Sequence, residues 1–307
     1  MSDSPDAAFD THGRIKCGTV SCPDFAASLA DYTRELSLGV VEQGVVSTDL
    51  ARSWGAPAQV AQPYALLRGE GGAPGFLRLV GGSGVEGYRA LGSYGWAAYE
   101  LTVRDAFALH ERIDRAAFEV IGAPKLVPGF DSFIPFQVKG RAEEVLYLNR
   151  VLKADSGGLD LPFAAAEVDH MFIAVLAAED RARTVAFHVE ALGFEEGETW
   201  VIPYSMINRS FGLPADFQTA MTMTKVGRLP ASEVDQYPDA AVFRKAAPGE
   251  LPPGNAMVSF MVRDLDAVRA PFIEPPVRRE GALYEGRRVA CVIGPSDERM
   301  ELIEMAA

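Results

Sequence analysis

The chain has 307 residues, of which 48 % are hydrophobic, and its 29 basic and 42 acidic residues give a formal net charge of −13. This composition excludes a wholly disordered chain and leaves room for two globular domains. The acidic balance makes nucleic acids and anionic membranes poor partners, and no apolar run is long enough for a membrane helix. The polar N-terminus, and three cysteines without a disulfide or zinc spacing, favour a reduced, cytoplasmic protein.

The predicted elements begin near residue 14, after an N-terminal segment, 1–13, that we expect to be a flexible tail. The residues from 14 to 24 predict a strand that ends in a turn, and Phe25–Leu38 predicts a helix with one apolar face. Within Trp96–Leu109 an alternating strand ends at Val-Arg-Asp, and its aspartate can begin a short helix. Ala256–Val268 repeats this pattern, and two further strands are predicted after each copy.

The stretch Glu167–Glu198 has a distinct order of elements. Val168–Ile173 is a short, largely apolar run typical of a buried strand, and it carries His170. Apolar residues then recur at helical spacing, with Asp180 as a candidate N-cap and Gly193 as a candidate end of the helix. A second extended run follows, so the order is strand, helix, strand.

Two separated motifs repeat at nearly the same offset along the chain. Asp31–Leu38 matches Phe187–Phe194, and Arg52–Pro57 matches Arg209–Pro214. A shared offset indicates a duplicated unit. The sequence therefore predicts an α+β fold of four βαβββ modules, in which modules one and two, and modules three and four, pair into two cupped-sheet domains.

These two domains are expected to span residues 14–152 and 163–307, and the polar, glycine-containing segment 153–162 is the predicted linker between them. The acidic, proline-rich segment 230–253 is expected to form an excursion before the fourth module. It would serve as a flap over a site or as a subunit contact, and a homodimer is left open.

The element order and its residues resemble the opening of a module in the vicinal oxygen chelate superfamily, which includes glyoxalases, extradiol dioxygenases and bleomycin-resistance proteins. The resemblance is carried by Asp169-His170, by Phe187-His188 and by Leu192-Gly193-Phe194. His188 stands where the family usually has tyrosine. The resemblance implies a tandem two-domain form whose metal ligands lie on the first and last strands of paired modules.

Carried onto this chain, the family pattern assigns four ligand positions to each pair of modules. In modules three and four, His170 takes the first position and Glu301 the last, while Met257 and Thr224 occupy the other two. In modules one and two these positions hold residues that do not form such a metal site, namely Cys17, Arg78, Ala98 and Leu146 or Tyr147. The resemblance thus implies a divalent ion, iron, manganese or zinc, held by His170 and Glu301, with an unmetallated pocket as the alternative.

Strand alternation supports a functional role for Glu301 independently of the resemblance. Its neighbours Met300, Leu302 and Ile303 are apolar, so the carboxylate is expected to be buried and to need a partner. His170 is the candidate partner, and the two would form a general base with its orienting acid. The alternative is a core histidine bonded to a backbone carbonyl.

The expected ligand is a small, partly apolar metabolite, bound by Met257, Thr224, Tyr204, Asn208 and Arg209. The first hypothesis for function is a lyase or isomerase that moves a proton next to a carbonyl or vicinal oxygens. An extradiol dioxygenase is an alternative that Met257, at a histidine position, disfavours. A metal-free binding or sequestering protein is the second hypothesis.

Overall fold

The structure, a computed structural model, describes residues 10–73, 75–126 and 131–306. Residues 1–9 of the predicted tail lie outside this range. The rest of the predicted tail packs on the fold, since Arg287 donates a hydrogen bond to Asp10 at 2.6 Å and the Gly13 amide donates to the Met261 carbonyl at 2.9 Å. No helix of the described chain is long and apolar enough to span a lipid bilayer.

The described residues form four successive modules, each of which begins with a strand, continues through a helical segment and ends in further strands. The first module comprises β1 (Ile15–Cys22), α1 (Phe25–Glu35), β2 (Leu38–Val45), α2 (Thr48–Ser53), the 3-10 turn Pro57–Gln59, β3 (Pro63–Gly69) and β4 (Phe76–Gly81). The second comprises β5 (Gly95–Val103), α3 (Ala106–Arg112), β6 (Glu119–Gly122), β7 (Phe133–Ile134), β8 (Gln137–Lys139) and β9 (Val145–Val151). A short hairpin follows, formed by β10 (Asp155–Ser156) and β11 (Leu159–Asp160).

The second half of the chain repeats this organisation. The third module comprises β12 (Val168–Ala178), α4 (Arg181–Leu192), β13 (Glu195–Pro203), α5 (Ser205–Phe211), β14 (Gln218–Val226) and β15 (Leu229–Gln236). The fourth comprises β16 (Gly254–Val262), the 3-10 turn Leu265–Ala267, β17 (Val277–Arg278), β18 (Arg288–Ile293) and β19 (Arg299–Glu304).

Both predicted boundaries of α4 are confirmed, whereas the predicted end of α1 is three residues too late. The side chain of Asp180 accepts a hydrogen bond from the Arg183 amide, and Gly193 ends α4 in the left-handed conformation with φ 75°. The helix predicted over Phe25–Leu38 ends at Glu35. Ser37, which the repeat aligns with Gly193, has φ 54°, so the left-handed turn is kept without a glycine.

The predicted α+β fold of four modules in two sheets is confirmed, but the predicted pairing of consecutive modules is wrong. One sheet has the strand order β17-β18-β19-β16-β1-β4-β3-β2, and the other has the order β13-β14-β15-β12-β5-β9-β8-β6. Module one therefore pairs with module four, and module two with module three. A repeat shows that modules are alike, but it carries no information about which first strands lie side by side.

The predicted linker 153–162 is not a free spacer. It contains the β10–β11 hairpin, and Leu159 and Leu161 are buried against Phe172 and Met223 of module three. The Asp160 amide also donates to the Arg228 carbonyl at 2.8 Å. The hairpin therefore packs against the second of these sheets.

The two sheets share one apolar core. A single buried cluster joins the faces that α1 and α4 cover, including Tyr32 from α1, Leu36 just after it, and Val185 and Leu192 from α4. The Tyr99 hydroxyl on β5 reaches across to the other sheet, at 2.7 Å from the Thr19 carbonyl oxygen. We call the opposite faces of the sheets the first cup, formed by modules one and four, and the second cup, formed by modules two and three.

Candidate functional site

The expected His170–Glu301 pair is not formed, because the two residues lie on different sheets. His170 is on β12, where its Nδ1 lies 3.6 Å from Oδ1 of Asp169. Glu301 is on β19 in the first cup. Its two oxygens accept hydrogen bonds from Trp54 Nε1 at 2.9 Å, Tyr284 Oη at 2.8 Å, Ser259 Oγ at 2.6 Å and Arg78 Nη2 at 3.1 Å.

The partners of Glu301 stabilise its ionised form. Burial alone would favour its neutral form, but the charge of Arg78 and the hydrogen bonds from Ser259, Trp54 and Tyr284 hold its pKa below the usual range. The Arg78 guanidinium is also fully enclosed and lies 4.5 Å from the centre of the Trp54 ring. The pair is therefore ionised at neutral pH and fills the floor of the first cup.

A divalent metal does not fit the first cup. The register of β1, β4, β16 and β19 gathers Cys17, Arg78, Met257 and Glu301 there. A guanidinium occupies one position, burial raises the pKa of the Cys17 thiol to about 12, and methionine is a poor ligand for hard ions. Of these four residues Glu301 alone is a carboxylate, and Arg78 already neutralises it.

The second cup also lacks the donor set for such a metal. Its register pairs Val175 of β12 with Glu233 of β15 and with Ala98 of β5, while Glu100 of β5 pairs with Tyr147 of β9. Val175 rather than His170 thus occupies the first-strand position, and the apolar side chain opposite it on β5 is Ala98. No group of three His, Cys, Asp or Glu residues suited to a metal occurs in the described ranges.

The second cup instead holds a large open cavity, with a volume of about 660 Å³. This is enough for a ligand of metabolite or drug size. Aromatic and methionine side chains form much of its wall, among them Phe133, Phe172, Trp200, Met206, Met221 and Met223.

Of the predicted substrate-binding residues, Tyr204 and Arg209 line this cavity. Met257 is buried in the first cup, and Thr224 is buried on β14, where its hydroxyl lies 2.6 Å from that of Ser232. Asn208 lies beside the cavity in α5, but its amide group donates to the carbonyls of Ala215 and Phe217. Thr224 was assigned to the last strand of module three, which is in fact β15.

Three carboxyl groups that the sequence pattern does not single out lie together in the second cup, two of them lining the floor of its cavity and the third just behind it. Glu100 comes from β5, and Glu233 and Asp235 share one face of β15, with exposed fractions of 5 %, 8 % and 1 % respectively. Both strands flank β12, so the side chains converge from its two sides. The segment 230–253 had been expected to be an excursion, and its first part is this strand.

Hydrogen bonds hold two of the three carboxyl groups in place. The Tyr204 hydroxyl lies 3.1 Å from Glu233 Oε1 and 3.2 Å from the Tyr147 hydroxyl oxygen. Asn149 donates its amide Nδ2 to Glu100 Oε2. Within the described residues, no amide, hydroxyl or basic group donates a hydrogen bond to Asp235. Its carboxyl group bonds to that of Glu233 instead, which requires a proton on one of the two carboxyls.

Burial raises the pKa values of all three groups. Burial is the main cause for each, and the charge of Glu233 adds to it for Glu100 and Asp235. The hydrogen bond from Tyr204 lowers the pKa of Glu233, but by less than burial raises it. No basic side chain contributes to these shifts, so part of the cluster is protonated at neutral pH.

No protein-family model and no curated protein matches the sequence. Among solved structures, a single-site mutant of glyoxalase I from Zea mays is similar over 98 % of this chain and 97 % of that one, with 16 % identity and a TM-score of 0.62. A protein from Bacillus subtilis assigned as a dioxygenase is similar over 97 % and 86 %, with 13 % identity and a TM-score of 0.61. The resemblance inferred from the sequence is thus confirmed as a likeness of fold.

We expect Glu301→Gln to destabilise the fold strongly. The substitution leaves the buried guanidinium of Arg78 without a counterion and sets an amide donor against groups that now donate to the carboxylate. Loss of one partner of a buried ion pair costs about 3–5 kcal/mol, measured as the free energy of unfolding in urea. The half-exposed pair of Arg112 and Glu167 is the control, and Glu167→Gln should cost about 1 kcal/mol or less. Equal losses would contradict a structural role for the buried pair.

We expect Glu100→Gln to change the pH dependence of stability. A carboxyl whose pKa is raised in the folded state costs that state nothing at a pH below its unfolded pKa, about 4.3 for glutamate. As the pH rises above this value towards the folded pKa, the fold loses stability. The free energy of unfolding of the variant minus that of the natural protein should therefore be larger at pH 8.5 than at pH 5. Urea unfolding at the two pH values measures it. A stability difference that does not change with pH would show that Glu100 ionises freely.

We expect purified protein to hold iron, manganese and zinc at well below one ion per chain. No group of three His, Cys, Asp or Glu residues among the described residues is suited to a metal, and the carboxylate of the first cup is already neutralised by Arg78. Elemental analysis by mass spectrometry after dialysis measures the metal content. A stoichiometric ion that resists dialysis would mean that a ligand set has been overlooked.

Proposed function

We propose that the second cup is the active site of a lyase or isomerase, which moves a proton at a carbon next to a carbonyl of a partly apolar metabolite. The observation that carries this proposal is the cluster of buried carboxyl groups with raised pKa values at the floor of a mostly apolar cavity. Perturbed acids in a cleft are frequent at catalytic sites. The likeness of fold to glyoxalase I agrees with such an enzyme without fixing its reaction.

Glu233 is the group assigned to proton transfer. It lines the cavity, and burial moves its pKa upward towards neutrality, where a carboxyl group exchanges protons most effectively. Its carboxylate takes the proton from the substrate carbon, and the electron pair of the broken C–H bond moves towards the carbonyl oxygen. The proton then returns to a different carbon in an isomerisation, or a leaving group departs in a lyase reaction.

Tyr147 and Tyr204 are assigned to the substrate oxygen. Both phenol groups line the cavity, and burial raises the pKa of each well above its ordinary value, so both remain protonated. A protonated hydroxyl can donate a hydrogen bond to the oxygen on which negative charge develops. Glu233 and the two tyrosines already form a connected chain of hydrogen bonds.

A metal-free binding protein is the second candidate function. Met206, Met221 and Met223 line the cavity, and methionine side chains adapt to ligands of different shape. Such a protein would bind ligands in the second cup without turning them over. An extradiol dioxygenase is not proposed, because neither cup supplies the ligand set that its metal requires.

The proposed reaction is tested by hydrogen–deuterium exchange in D2O with a panel of ketones and hydroxyketones that carry aromatic or branched aliphatic groups. The natural protein should catalyse exchange at the carbon next to the carbonyl, followed by nuclear magnetic resonance. Glu233→Gln should lower the rate by about 10²–10⁴-fold, because the proton acceptor is lost. Tyr204→Phe should lower it by about 10²–10³-fold.

The matched control is Glu190→Gln, which removes the same charge from an exposed position on α4 outside the cavity. It should leave the exchange rate unchanged. Exchange that is indifferent to Glu233→Gln would remove this residue from the mechanism. Ligand binding without exchange would favour the binding protein.

A further inference from the structure

The two cups have the same strand register but differ in charge at corresponding positions. Arg78 pairs with Thr19 of β1, and Glu233 pairs with Val175 of β12, so Glu233 stands where the first cup has its guanidinium. In the same way Tyr147, which pairs with Glu100, stands where the first cup has Glu301. The second cup therefore has acids on its floor and lacks the cation that neutralises the acid of the first cup.

An unpaired acceptor atom shows that this floor is incomplete. The side chain of Asn149 lines the cavity and is 0 % exposed, and its Oδ1 has no hydrogen-bond donor among the described residues. Buried acceptors are nearly always satisfied, so this atom points to a group that brings an N–H donor into the cavity.

The walls of the cavity suit the remainder of such a ligand. The rings of Phe133, Phe172 and Trp200 offer apolar surface, and the negative faces of aromatic rings attract organic cations. The basic residues that line the cavity, Lys125 and Arg209, are exposed at its rim and do not pair with the floor.

We propose that the ligand of the second cup is an organic cation, with an ammonium group that binds among Glu100, Asn149 and Glu233 and an apolar body that packs against the aromatic wall. This inference rests on the proposed function for the choice of site, and it names the substrate class. The ammonium group provides the positive charge that Arg78 provides in the first cup, and one of its N–H groups donates to the unpaired Oδ1 of Asn149.

Cation binding also prepares the proposed base. Six titratable groups face the floor. The acids come from β5 and β15, and the phenols come from β9, from the residue before α5 and from the residue after β15: Glu100, Glu233, Asp235, Tyr147, Tyr204 and Tyr237. With no ligand, burial keeps part of the carboxyl protons in place. A bound ammonium favours the ionised carboxylates, so protons leave and Glu233 becomes able to accept one from the substrate.

The inference is tested by isothermal titration calorimetry at pH 7 with three probes of similar shape: 2-phenylethylamine, 2-phenylethanol and 3-phenylpropanoate. The amine should bind at least about tenfold more tightly than the alcohol, a difference of about 1.4 kcal/mol. The carboxylate should bind more weakly than either. The binding enthalpy of the amine should differ between phosphate and Tris buffers, because protons are released on binding.

Two variants and a matched control locate the effect. Glu100→Gln and Asp235→Asn should each weaken amine binding by about tenfold and reduce the proton release. Glu198→Gln, which removes a carboxylate from the exposed rim of the same cavity, should weaken it by less than about twofold. Trp200, in the cavity wall, provides an independent fluorescence signal for binding.

Equal binding of amine and alcohol, tighter binding of the carboxylate, or no amine binding at about 1 mM would overturn the inference. The outcome of the hydrogen–deuterium exchange assay is independent of the outcome of the binding measurements. Amine binding without proton exchange supports the inference and contradicts the proposed reaction. Exchange of neutral ketones without any preference for amines does the reverse.

Discussion

The pairing of the modules' first strands at the centre of each sheet determines which modules share a sheet and which side chains share a cup. β1 lies antiparallel to β16, and β12 lies antiparallel to β5. This arrangement joins modules from the two ends of the chain in one sheet and the two middle modules in the other. It thereby separates His170 from Glu301 and brings Glu100 towards Glu233, so the candidate chemistry depends on a long-range contact.

The two cups solve one electrostatic problem in opposite ways. A carboxyl group in a buried position must be paired or must hold its proton. In the first cup Arg78 and three hydrogen-bond donors keep Glu301 ionised, and its side chain is fully buried. In the second cup the acids face an open cavity and keep protons instead, which costs stability as the pH rises. A site that is costly to the fold is more easily explained by function than by packing.

Local signals in the sequence predicted the local structure well. Asp180 and Gly193 act through their immediate neighbours, so their roles at the ends of α4 could be predicted from the chain alone. The functional floor could not, because Pro230, near the start of β15, and the alternating acids Glu233 and Asp235 resemble a solvated excursion. Strand alternation was the available signal, since Glu233 and Asp235 are two residues apart and flank the apolar Val234.

The polar floor of one cup is satisfied and that of the other is not, and this difference follows from particular side chains. The repeat aligns Trp54 with Phe211. Trp54 donates its indole N–H to Glu301, whereas Phe211 has no such donor and packs edge-to-face on Tyr237, with ring centres 5.7 Å apart. The duplicated fold thus preserves an aromatic residue at this place but loses its polar contact. Together with the acid at the position of Arg78, this leaves the second cup with acceptors that the chain itself does not satisfy, and a ligand with N–H donors can do so.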